Sequence, residues 1–149
     1  MRRFFFDTNI FVYALGGDHP LRGPCRVVLE RAEGGELRGE ASVELVQELV
    51  HQRYRQTRQR AAATRAARRV AEAVILHPFE PADLPLALDL FDHSSRMTSR
   101  DACLAAVALN REVGAMLSAD RDFDDVPGLE RVDPADEVAV AGLSRRVSR

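Results

Sequence analysis

Residues 98–120 read TSRDACLAAVALNREVGAMLSAD. The stretch Thr98 to Glu112 has helical character, and from Ala102 to Leu109 it is apolar on every side. A helix without a polar face is a buried one, and four alanines let it lie close to a sheet. Ala115 to Ser118 then supplies a short strand, with Asp120 just past its end. A buried helix feeding a short strand points to an α/β fold: a mainly parallel central sheet with helices on both faces.

The same alternation extends in both directions. Arg3 to Phe6 is an aromatic run that reads as a buried first strand, closed by the polar triplet Asp7-Thr8-Asn9. After a turn at Gly16-Gly17-Asp18, Leu21 to Glu33 has helical periodicity and stops at Gly34-Gly35. Leu37 to Ala41 is a short strand or connector, and Ser42 is placed to cap a helix carrying Val43, Val46, Leu49 and Val50. Thr57 to Leu76 predicts a second long helix, ended by His77-Pro78. Asp83 to Phe91 predicts another, with Pro85 in its first turn. Leu129 to Val132 is the last strand candidate. With no repeat and no linker, residues 1–149 are expected to form one domain, with its core in about 1–134 and a peripheral tail at 135–149.

Composition narrows the chemistry. Apolar residues at 46% and charged residues at 30% belong to a globular chain. All 21 basic side chains are arginine. Without lysine there is no P-loop, and other acid-rich α/β sites that pair a lysine with aspartates are disfavoured. Cys25 and Cys103 form neither a CxxC nor a Cys/His array. Asp7 and Asn9 interrupt the apolar N-terminal stretch, and no run reaches the length of a membrane span. The expected location is cytoplasmic.

Four acids stand out by position. Asp7 closes the first strand, where open α/β sheets place ligands, although an Asx turn would use it equally. Glu48 borders the apolar face of Leu45 and Leu49, while Glu44 lies further toward solvent; a surface glutamate fits that border too. Asp101 opens the buried helix, where Thr98-Ser99-Arg100-Asp101 also resembles a capping box. Asp120 follows the strand AMLSA, with Asp122, Asp124 and Asp125 crowding behind it. Carboxylates gathered at one sheet edge raise one another's pKa unless a cation sits among them. Oxygen donors without a soft cluster suit Mg²⁺ or Mn²⁺ rather than zinc.

Taken in order, FFFDTNIF, ASVELVQEL, TSRDACLAAVAL and LSADRDF resemble the acidic signatures of PIN domains, and most closely those of VapC-like toxins. The resemblance runs from residue 4 to about 133. It implies a PIN-like three-layer sandwich and makes Asp7, Glu48, Asp101 and Asp120 the catalytic and metal-holding quartet. Thr8, Asn9 and Ser118 match its orienting positions, and Asp122 matches an accessory position found in part of the family. The implied activity is divalent-metal-dependent hydrolysis of RNA by the toxin of a toxin–antitoxin pair. A cognate antitoxin and a homodimer are implied as well. The alternative is a PIN-fold RNA-binding or regulatory module without catalysis.

Arg100 and Arg121 flank the acids and are candidates for gripping substrate. From Leu49 to Ala71 there is no acid, while Arg53, Arg55, Arg58, Arg60, Arg65, Arg68 and Arg69 all fall there. That segment reads as RNA-binding surface, antitoxin-docking surface or a solvated helix face. The four histidines show no metal-ligand spacing, and each is expected at the surface or at a cap.

Overall fold

The computed structural model describes residues 2–143. Five short strands, β1 (Phe5–Phe6), β2 (Glu40–Ser42), β3 (Ile75–His77), β4 (Ala115–Leu117) and β5 (Glu130–Val132), form one sheet in the order β3-β2-β1-β4-β5. Every pairing is parallel, with Phe5 opposite both Glu40 and Met116, and Leu76 opposite Ala41. The helices are α1 (Thr8–Leu15), α2 (Arg22–Glu33), α3 (Val43–Thr57), α4 (Arg60–Ala73), α5 (Leu84–His93), α6 (Ser99–Asn110) and α7 (Glu137–Ala141).

Strand alternation builds two cores. Phe4 and Phe6 point to one face, where they pack with Ile10, Phe11, Leu29, Leu45, Leu49 and Val70. Phe5 points to the other, against Ala102, Ala105, Ala108, Met116 and Phe123. The sheet is therefore covered on both sides at its centre, as the wholly apolar β1 and β4 require. The α6 helix is buried at Ala102 and from Leu104 to Ala108, in keeping with its all-round apolar sequence. Gly39 leads into β2 so close to the first strand that a Cβ there would overlap the Phe6 and Phe4 rings.

Two segments depart from the sequence reading, and a third, Ile10 to Leu15, has no element assigned to it there. The chain turns directly from β1 into α1, whose residues Ile10 to Leu15 look like a continuation of the apolar strand. The long helix expected to Leu76 stops at Ala73, because Ile75 to His77 pair with β2 as an edge strand. The stretch expected as a peripheral tail includes α7, which sends Val140, followed by Leu143, into the first core; residues 144–149 lie outside the described residues. His77, expected at the surface or at a cap, stacks on Phe5 and holds the buried Glu40 at 2.8 Å beside Arg3. Among the described residues, no helix is long and apolar enough to cross a membrane.

The chain lays β2 and β3 on one side of β1, and β4 and β5 on the other. The switch in direction lies between β1 and β4, and a crevice forms beyond the carboxyl ends of these two strands. Asp7 leaves β1 there, and Ser118 to Asp120 leave β4 there.

Candidate active site

Asp7 is anchored to β4 by its backbone N–H, which donates to Leu117 O at 3.0 Å. The residue is only 5% exposed. The neighbouring Ser118 is fully buried, and its hydroxyl organises three groups. It donates to Asp7 Oδ2 at 2.6 Å and accepts from the Asp120 N–H at 2.9 Å and from Asn9 Nδ2 at 3.4 Å. One donor and two acceptor lone pairs are all that a serine hydroxyl offers, so Ser118 is saturated. The Oδ1 of Asn9 is buried and, among the described residues, has no hydrogen-bond partner.

The α6 helix supplies Asp101. Thr98 caps the helix by accepting from the Asp101 backbone N–H at 3.2 Å. The Asp101 carboxylate turns toward the acids after β4: oxygens of Asp101, Asp120 and Asp122 all lie within 4.8 Å of one another. A short 3₁₀ turn, Arg121–Asp125, folds Asp122 back into this group, with its N–H donating to Asp120 Oδ1 at 2.9 Å.

The electrostatic result is specific to these positions. Burial pushes the Asp7 carboxyl up to about 7; the Ser118 hydrogen bond opposes this, and the charges of Asp101 and Asp120 add to it. Burial also pushes Asp101 up to about 6, reinforced by Asp120 and Asp122 against the opposing effects of Thr98 and Arg100. Two like charges at this spacing repel by about 1 kcal/mol in water and about 3 kcal/mol at an effective dielectric near 20. All the donors are oxygen, three carboxylates converge, and the buried amide oxygen of Asn9, on the same cleft as Asp7 and Asp101, lacks a partner among the described residues. A hard divalent cation fits that set and would relieve the repulsion.

Next to the acids opens a cleft of about 830 Å³, lined by Asp7, Thr8, Asn9 and Asp101 together with Glu44, Glu48, His51 and Gln52 of α3. Glu48 lies outside the three-carboxylate group. Its Oε1 accepts from Gln52 at 3.0 Å and pairs with Arg100 Nη1 at 2.8 Å, which ties α3 to the start of α6 across the cleft. Glu44 also lines the cleft and accepts from the Ser42 hydroxyl. Arg121 is exposed at the start of the 3₁₀ turn. Asp122, only an accessory match in the sequence, joins this carboxylate group, where Arg96 also pairs with it at 3.6 Å. The local signal for it is a turn: an aspartate that accepts the N–H two residues on bends the chain back on itself.

A family model described as PIN domain matches residues 4–129. Ribonuclease VapC7 of Mycobacterium tuberculosis is 34% identical over 131 residues, covering 86% of this chain and 89% of the relative. Among solved structures, VapBC2 from Rickettsia felis, bound to a DNA fragment from the promoter, superposes with a TM-score of 0.67. It is 16% identical and covers 88% of this chain and 98% of that one. VapC20 of M. tuberculosis, described as a sarcin-ricin loop cleaving toxin, gives a TM-score of 0.66 at 18% identity over 81% of this chain and 92% of that one.

Proposed function

The chain belongs to the PIN domain family, and from that premise we propose that it is a divalent-metal-dependent endoribonuclease, the toxin of a toxin–antitoxin pair. The observation that carries the activity is the meeting of Asp101, Asp120 and Asp122 within 4.8 Å, beside buried Asp7, at the switch point of the sheet. Acids so placed cost stability unless a cation repays it. The relatives' names supply the substrate class, RNA.

In this reading Asp101, Asp120 and Asp122 would hold Mg²⁺ or Mn²⁺, with Asp7 and Asn9 Oδ1 as further oxygen donors at the cleft. Such an ion lowers the pKa of a water and neutralises charge that develops on phosphoryl oxygens. The protein's own groups set the geometry. Ser118 fixes Asp7 and the Asp120 backbone with one hydroxyl, so the ends of β1 and β4 keep their spacing. Glu48 faces the cleft and orients the attacking water. Arg100 and Arg121 grip the phosphate on either side of the cut, which places the phosphorus for in-line attack. Water oxygen bonds to phosphorus and the P–O3′ bond breaks, leaving a 5′-phosphate and a 3′-hydroxyl.

Solved structures of VapBC pairs share this fold, and the proposal extends to a cognate antitoxin as partner, a homodimer as the working unit and the cytoplasm as its place. The test is RNA cleavage by purified protein that stops on chelation and resumes on addition of Mg²⁺ or Mn²⁺. Binding of RNA without cleavage in any metal would instead make it a silent RNA-binding module.

A further inference from the structure

The acid-free stretch from Leu49 to Ala71 folds as the end of α3, a tight turn and most of α4. Arg58 makes the turn with φ +56°, at a helix C-terminus where glycine or asparagine is usual. Its guanidinium carbon lies 5.8 Å from the centre of the Tyr54 ring, and that of Arg60 lies 5.1 Å from the same ring. Two arginines of the segment are committed to the fold. Arg53 donates to Leu15 O at 2.7 Å, and Arg69 grips Glu33 through bonds of 2.8 and 2.9 Å. Arg55, Arg58, Arg60, Arg65 and Arg68 are exposed, and among the described residues none of them is in an ion pair.

Like charges left together without acids repel; Arg65 and Arg68, three apart on α4, are such a pair. An anionic partner turns that cost into attraction. Tyr54 holds two guanidiniums over one ring, both exposed and close together, and arginine grips phosphate oxygens in pairs. The same helix connects this turn to the cleft. Glu48, His51 and Gln52 line the cleft, and α3 then runs about 13 Å from Glu48 to Thr57. A polyanion lying in the cleft meets the turn next. A phosphate backbone suits this better than an acidic peptide, because it carries a regular row of bidentate acceptors and continues from the site of the cut.

We infer that the α3–α4 turn is a docking surface for the RNA backbone that extends the cleft, with Arg58 and Arg60 on Tyr54 as its paired phosphate grips. The inference rests on the ribonuclease reading and names where that substrate is held beyond the site of chemistry.

The test is binding of a labelled single-stranded RNA, followed by fluorescence anisotropy in chelator, between 50 and 200 mM salt. The variant carries Arg58→Asn, which tolerates the left-handed backbone, and Arg60→Gln. Two lost contacts should reduce the slope of log affinity against log salt by about 1.4, at about 0.7 per phosphate. The variant's deficit should then shrink about sevenfold between 50 and 200 mM salt. Arg69→Gln, which removes an arginine already held by Glu33, should leave the slope unchanged. With Mg²⁺ the double variant should show a raised KM and an unchanged kcat. If it melts early, Arg60→Gln alone should still lower the slope by about 0.7. A wild type that cleaves RNA while the double variant keeps its slope overturns the docking surface alone and leaves the segment to a protein partner. The same slope change in Arg69→Gln overturns it too, as diffuse charge. A wild type that binds with the expected slope and never cleaves overturns the ribonuclease reading.

Discussion

Replacing Asp7 with asparagine should change how the metal-free protein's stability depends on pH, and the size of the change follows from the site. The Asp7 carboxyl is raised to about 7 by burial and by Asp101 and Asp120. In the unfolded chain it titrates near 3.9. A raised carboxyl means that the folded state binds more protons, so the penalty is full above the folded value and fades as pH falls toward the unfolded value. Each pH unit in that interval is worth about 1.4 kcal/mol, so the full penalty is on the order of 4 kcal/mol. From pH 8 to 5.5 the wild type should regain about 2 kcal/mol that Asp7→Asn has no means to regain. For a chain of this size that is a difference of roughly 4–8 °C in melting temperature. The amide brings a buried N–H, which costs about 1–3 kcal/mol if it stays unpaired. That cost does not depend on pH, so the comparison rests on the slopes and not on either absolute value. Carboxyls with lowered pKa, such as Glu40 and Asp83, act below the unfolded carboxylate range, and Asp101, raised to about 6, is present in both proteins and so drops out of the comparison. The assay is urea unfolding of both proteins in chelator at several pH values from 5.5 to 8. Parallel stability curves would refute the reasoning, since Asp7 would then carry no desolvated charge.

Other perturbations probe other parts of the site and fold. In thermal melts Mg²⁺ should stabilise the wild type by about 2.7 kcal/mol at a hundredfold excess over its Kd. Asp101→Asn should lose most of that response while matching or exceeding the wild type in chelator. Ser118→Ala should cost about 1–3 kcal/mol by urea unfolding, because it strips Asp7 of its hydrogen bond and leaves the Asp120 N–H unpaired. It should also reduce kcat more than KM, since Ser118 orients acids and does not face the cleft. Gly39→Ala should destabilise by about 1–3 kcal/mol or more, as the added methyl overlaps Phe4 and Phe6; its metal response should survive in any folded fraction.

How far the sequence foretells this arrangement depends on what each segment packs against. The α6–β4 unit is legible because Ala102 to Leu109 has no face that tolerates water, and no other environment suits it. The α1 helix is hidden, since Ile10-Phe11-Val12 after an aromatic strand carries no period that separates helix from strand. β3 is hidden for the opposite reason: Ile75-Leu76 closes an alanine-rich helical pattern, and only its pairing with Ala41 and Ser42 makes it a strand. Positions after strand ends drew attention to Asp7 and Asp120 through the geometry of parallel sheets. Asp122 sits in a run of acids where sequence cannot separate a solvated charge from a converging one. The exchange between Glu48 and Arg100 spans 52 positions and has no local signature at all.

Whether these acids cut RNA with a divalent cation is decided on total cellular RNA. Wild type and Asp101→Asn should be incubated with it in chelator, in Mg²⁺ and in Mn²⁺, and new 5′-phosphate ends sequenced. The wild type should make a small set of discrete cuts, absent in chelator, restored by either metal, and missing throughout with folded Asp101→Asn. Cuts that persist in chelator, or that Asp101→Asn makes as readily as the wild type, would contradict metal-dependent cleavage by these acids.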